Sequence, residues 1–228
     1  MNSRKYRIVL SLLCLVTMLT FVSAMLGQDA VQVAGKEYKL ISENDRVRIL
    51  DCKLAPGEKT AMHSHPALLA VILAPSVIRQ DTPDGKSAEI GAGDKRGAVH
   101  FADATTHTSE NIGKTPFHAI LIEFKQPAPD PAKAAKISLP APFKQVLDNA
   151  YVTTFQFATP AGSTTARHTH PDHITIALSN GSAELTNSDG KKQELTFKRD
   201  TAVFAGPGTH SAVNDGKTTV RLIDVELK

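Results

Sequence analysis

The stretch YKLISENDRVRILDCKLAPGEKTAMHSHP (38–66) decides the fold, because the chain contains it twice. It aligns without a gap with FKQVLDNAYVTTFQFATPAGSTTARHTHP (143–171). Lys39 matches Lys144, Asn44 matches Asn149, Val47 matches Val152 and Gly57 matches Gly162, and both stretches end in His-x-His-Pro. A second block, HTSENIGKTPFHAILIEFK (107–125), aligns with HSAVNDGKTTVRLIDVELK (210–228), sharing His, Asn, Gly-Lys-Thr, Glu and the final Lys. Self-similarity on this scale predicts two copies of one structural unit, over 32–125 and 143–228. Between them lies QPAPDPAKAAKISLPAP (126–142), whose five prolines predict an extended linker.

Within each copy the apolar runs are short and rich in Val, Ile, Thr and Phe. They are bounded by turn signals such as Ala-Pro-Gly (55–57), Pro-Asp-Gly (83–85), Asn-Gly (180–181) and Ser-Asp-Gly (188–190). No segment after residue 24 sustains a long helical period. The expectation is an all-β protein, each copy a small barrel or sandwich.

The front of the chain does not follow this pattern. Arg4, Lys5 and Arg7 precede an apolar stretch from Ile8 to Ala24, which ends in Val22-Ser23-Ala24. This predicts a signal peptide over 1–24, cleaved near Ala24, and hence a periplasmic or secreted protein. An uncleaved membrane anchor is the alternative, and nothing later in the sequence is apolar enough to span a bilayer. The net charge of +3 resides in this segment, which holds three basic and no acidic residues. The remainder is formally neutral, so it has no electrostatic footprint for nucleic acid. Beyond residue 24 the only cysteine is Cys52, which alternates with Leu50 and Leu54 as a buried thiol would.

The chemistry-bearing residues are histidines. On a strand, residues two apart share a face at about 7 Å, so their imidazoles can take neighbouring positions on one metal ion. His63 and His65 satisfy this, as do His168 and His170, each pair in the pattern Gly-x5-His-x-His. About 40 residues on, each is followed by His-x3-Asn: His107 with Asn111, and His210 with Asn214. A third imidazole from another strand would complete a facial set with open coordination positions. His100 and His118 have no counterpart in the other copy and suit surface or supporting roles. Asn111 and Asn214 suit turns, and Lys114 and Lys217 suit exposed hairpins rather than a phosphate loop.

Gly-x5-His-x-His followed by a segment ending in His-x3-Asn resembles the two signature motifs of the cupin superfamily. The resemblance covers nearly all of the chain after residue 24, twice, so the protein is similar to a bicupin. The first repeat further resembles the small cupins labelled BauB-like. The resemblance implies two tandem jelly-roll β-barrels, each with one divalent metal in its mouth. By position the ligands would be His63, His65 and His107, and His168, His170 and His210. Both copies depart from the motif alike, with Leu69 and Ile174 where a ligand Glu normally follows the second His. Asp172 or His173 could add a ligand in the second copy. Three neutral ligands leave the metal its full charge and favour an anionic partner such as a carboxylate or an enolate. Continued alternation predicts apolar walls of Leu69, Val71 and Leu73 in one copy and Ile174, Ile176 and Leu178 in the other. The resemblance therefore implies a dioxygenase-type metalloenzyme acting on a small, anionic molecule. Fe2+ is the first expectation for the metal, ahead of Zn2+, Mn2+, Ni2+ or Cu2+. A non-catalytic metal- or metabolite-binding module is the alternative. A monomer or a homo-oligomer fits either reading.

Overall fold

In the computed structural model the described residues are 28–228, apart from 131–133 and 135. The expected signal peptide lies outside them. Among the described residues no helix is long and apolar enough to cross a membrane.

The protein is two jelly-roll β-barrels. The first contains β1 (Tyr38–Glu43), β2 (Val47–Leu54), β3 (His63–His65), β4 (Leu68–Ala74), β5 (Ile78–Asp81), β6 (Ser87–Ile90), β7 (Val99–Ala102), β8 (Thr105–Asn111) and β9 (Phe117–Phe124). The second contains β10 (Lys144–Asp148), β11 (Val152–Thr159), β12 (Thr164–His170), β13 (His173–Ala177), β14 (Gly181–Asn187), β15 (Lys192–Phe197), β16 (Ala202–Ala205), β17 (Gly208–Val213) and β18 (Val220–Leu227). Each barrel is a five-stranded sheet facing a four-stranded one. The orders β1-β2-β9-β4-β7 and β3-β8-β5-β6 recur strand for strand as β10-β11-β18-β13-β16 and β12-β17-β14-β15.

The residues shared by the two copies are those that shape the backbone. Asn44 Oδ1 accepts from the amides of Arg46 (2.8 Å) and Val47 (2.9 Å), closing the β1–β2 hairpin. Asn149 does the same for Tyr151 and Val152 between β10 and β11. Gly57 and Gly162 adopt φ of 78° and 75°, where a side chain would be strained. Asn111 Nδ2 donates to Leu54 O (3.0 Å) and Thr115 O (2.8 Å), and Asn214 repeats this with Thr159 O and Thr218 O. The expected turn role of both asparagines is what the structure shows.

Ahead of β1, Asp29 caps the one-turn helix α1 (Ala30–Val33), accepting from the Val31 amide at 2.9 Å. Ser64 N bonds Gln28 O (2.9 Å), so this segment lies against β3, and Ala30 and Ala34 join the interior of barrel 1.

The two five-stranded sheets pack on one another. Leu69, Val71 and Ile122 of barrel 1 and Ile174, Ile176 and Ile223 of barrel 2 belong to one continuous core, each completely buried. This explains why β4 and β9 are apolar on both faces: one face looks into the barrel and the other into the partner barrel. Burying each such side chain contributes about 2 kcal/mol. Two arginines clasp the rim of this interface. Arg96 donates to Leu73 O (2.6 Å) and Leu178 O (2.9 Å) and pairs with Asp200. Arg46 pairs with Asp172 (2.8 Å) and donates to Lys228 O (2.6 Å).

The expected pocket walls are corrected here. Leu69, Val71, Leu73, Ile174, Ile176 and Leu178 line the contact between barrels, not the space around the histidines. At Pro66 and Pro171 the chain passes from the four-stranded sheet into the five-stranded one. Alternation therefore does not carry through the corner. His65 and Leu68, three apart, both face the interior of barrel 1, as His170 and His173 do in barrel 2.

Candidate metal centre

Each barrel brings its three expected histidines together. His63 pairs directly across β3–β8 with His107, and His168 across β12–β17 with His210. His65 and His170 stand on the same face as their i−2 partners. Ring centroids lie 4.8, 4.8 and 5.5 Å apart in barrel 1 and 4.7, 4.7 and 5.1 Å apart in barrel 2. Within each triad one ring nitrogen from every histidine lies within 4.8 Å of the others.

The hydrogen bonds dictate which nitrogen is available. His63 Nδ1 is 2.7 Å from Ala61 O, and His168 Nδ1 is 2.6 Å from Ala166 O. A carbonyl only accepts, so Nδ1 carries the proton and Nε2 presents a lone pair. Both Nε2 atoms are buried and have no hydrogen-bond partner in the protein. A buried lone pair without a partner is costly, and a metal ion satisfies it. The donor set therefore fits a divalent ion in each barrel. Burial also lowers the imidazole pKa values, to about 4 at His63, about 3 at His107, and about 4 at His170 and His210. The four are thus neutral at pH 7, the form a metal requires.

Behind each triad stands a carboxylate that alternation alone does not place. His65 Nδ1 meets Glu123 Oε1 at 2.5 Å, and His170 Nδ1 meets Glu226 Oε1 at 2.7 Å. Such carboxylate–histidine pairs orient a ligand and raise its basicity. The signal was present, because Glu123 and Glu226 coincide when IEFK (122–125) is laid on VELK (225–228). At Glu226 burial and then the nearby Asp224 push the carboxyl up to about 8. With His170 held neutral as well, their contact is a hydrogen bond rather than an ion pair.

The two barrels differ around this common frame. In barrel 1 Glu123 Oε2 receives Arg48 Nε at 2.6 Å, and Arg48 also pairs with Asp29 at 2.5 Å. Desolvation opposes the charge on Arg48, but the two carboxylates hold its pKa above the usual value. Tyr38 packs on His63 and His65 at 4.8 and 5.3 Å, with Ser109 and Cys52 beside its hydroxyl. Cys52 is buried, as its alternation implies. Gln80 Nε2 lies 3.4 Å from His107 Nε2. In barrel 2 Phe143 takes the place of Tyr38, 4.8 Å from His168, and Phe157 takes the place of Cys52. Of the two residues that could add a ligand there, Asp172 is engaged by Arg46 at the barrel contact. His173 instead lies beside the triad, its ring stacked 4.4 Å from His170, in a second group with His170 and Glu226. His100 bonds Asp94 and His118 bonds Asp51, while Lys114 and Lys217 are exposed. The cavities above the triads measure about 310 Å³ in barrel 1 and about 410 Å³ in barrel 2.

The depressed histidines make a prediction for the metal-free chain. Each has a folded pKa near 3–4 against an unfolded value near 6.5. Below 6.5 the unfolded chain takes up protons that the folded chain refuses, so stability falls as pH drops from 6.5 towards 4. The slope approaches about 1.4 kcal/mol per pH unit for each such proton. A melting temperature that stays flat across this range after chelation would contradict the buried, neutral triads.

No protein-family profile matches the sequence, and no match to a curated protein sequence was found. Solved structures do match. AerE from Microcystis aeruginosa superposes with a TM-score of 0.55 at 16% identity, covering 84% of this chain and 97% of that one. A cupin 2 conserved barrel domain protein from Leptotrichia buccalis gives 0.51 at 14% identity, covering 84% and 88%. Oxalate decarboxylase from Lactobacillus farciminis gives 0.54 at 14% identity, covering 80% and 77%. At these identities the likeness is one of fold, and the fold is that of a bicupin. The histidine triads fit a metal-binding one.

Proposed function

We propose that the protein is an exported bicupin metalloenzyme that acts on a small, anionic molecule with dioxygenase-type chemistry. The observation that carries this reading is the pair of buried, partnerless Nε2 atoms, His63 and His168, each at the centre of a histidine triad. His63, His65 and His107 would hold one divalent ion, and His168, His170 and His210 another. The ion, Fe2+ first, would supply Lewis acidity and redox capacity. Manganese merits a place among the candidates, since Mn(II) centres are described for Bacillus subtilis oxalate decarboxylase, a structural neighbour.

The chain's own residues supply the rest. Glu123 and Glu226 hold the rings of His65 and His170 in orientation. In barrel 1 the Gln80 amide and the hydroxyls of Tyr38 and Ser109 provide hydrogen bonds beside the triad, while Leu68, Ala70 and Ile72 give an apolar wall that excludes water. Such a site positions an oxygen-rich head group and offers few groups for acid–base catalysis.

The test is metal identity and stoichiometry in purified protein, followed by oxygen uptake with small thiols, diketones and carboxylates. Bound Fe2+ with substrate-dependent uptake supports the enzyme. Metal without turnover of any of these supports a binding module instead. Export is tested separately, by fractionating cells and sequencing the mature N-terminus.

A further inference from the structure

Barrel 2 carries an inward carboxylate, Asp224, where barrel 1 has Leu121. In barrel 1 Glu123 lies in register between Arg48 on β2 and Leu68 on β4. Arg48 answers its charge, and the next inward residue on β9, Leu121, is apolar. In barrel 2 the corresponding Glu226 lies between Thr153 and His173, and the next inward residue on β18 is Asp224. The arginine is gone and a second carboxylate has been added.

Both acidic groups are buried, with Asp224 4% exposed and Glu226 completely enclosed. Asp224 accepts from Thr175 Oγ1 at 2.7 Å, and Glu226 Oε2 has no hydrogen-bond partner in the protein. Asp224 and His173 line the 410 Å³ cavity, and among the described residues that line it there is no lysine or arginine. The rest of the lining has changed in the reverse sense. Tyr38, Cys52, Gln80 and Ser109 of barrel 1 correspond to Phe143, Phe157, Leu185 and Ala212, all apolar. A buried carboxylate on the wall of a roomy, largely apolar cavity without lysine or arginine is a site that lacks its positive partner.

We propose that barrel 2 binds a small organic amine, its ammonium group held by Asp224 on the cavity wall and its apolar body against Phe143, Phe157 and Leu222. The proposal concerns the wall of the cavity and stands whether or not a metal occupies the triad.

The test is calorimetric titration of the full chain, as purified and again after chelation, with 2-phenylethylamine and with 2-phenylethanol, its uncharged analogue. The expected result is one amine per chain, bound at least about tenfold more tightly than the alcohol. Asp224→Leu, which installs the residue found in barrel 1, abolishes that preference. Asp224→Asn, which keeps the shape, does the same, and circular dichroism checks that both variants fold. Equal binding of amine and alcohol, or a preference that survives both substitutions, overturns the proposal. So does a divalent ion that displaces the amine and whose own binding disappears in Asp224→Leu while both triads still load. The chelated sample separates this result from the metal reading, because loss of metal binding would leave the amine preference intact.

Discussion

Replacing His63 and His168 by alanine together should leave the purified chain without bound metal. Each histidine contributes an Nε2 that is buried, bare and directed at its triad, so each substitution removes one of three ligands from a different barrel. Weakening the support behind a ligand typically costs about 10–100-fold in metal affinity. Loss of a ligand itself should exceed that. The parent chain should carry up to two ions, each single variant one, and the double variant none, measured by elemental analysis after dialysis against dilute metal. A double variant that still carries two ions would show that the triads are not the binding sites.

Leu69→Glu should destabilise the protein rather than repair a ligand set. In the cupin motif a glutamate normally follows the second histidine at this place, so the substitution looks like a restoration. The structure puts Leu69 in the core between the barrels, completely buried beside Val71 and Ile122. A carboxylate there has no partner, and the expected loss is about 3–5 kcal/mol, or roughly 10 °C in melting temperature for a chain of this size. Ile174→Glu should behave alike from the other side. A Leu69→Glu chain that melts like the parent and binds metal more tightly would mean that β4 faces the other way.

These two expectations mark what the amino-acid sequence conveys by itself. The duplication was legible because its anchor residues have local tasks. Asn44 and Asn149 close hairpins, Gly57 and Gly162 adopt positive φ, and the histidine pairs need only the two-residue period of a strand. The direction of β4 and β13 was not legible. The corner at Pro66 and Pro171 shifts the phase of the alternation, and a period counted through it comes out inverted. Glu123 and Glu226 were visible as matched letters, but their task depends on β9 and β18 lying beside β4 and β13, which is a long-range pairing. The divergence between the barrels was harder still. The exchanges of Arg48 for Thr153 and of Leu121 for Asp224 acquire meaning only when both copies are laid on the same lattice of strands.

The continuous core between the barrels has a consequence for how the protein behaves on dilution. Two separate chains meeting through such a surface would come apart as concentration falls, by mass action. Here the Pro-rich segment ties the halves, so one half meets the other at a fixed effective concentration however dilute the solution. The pairing of sites is thereby independent of expression level, and a change in one half is not forced on the other. A symmetric dimer of identical chains could not hold Arg48 in one barrel and Thr153 in the other.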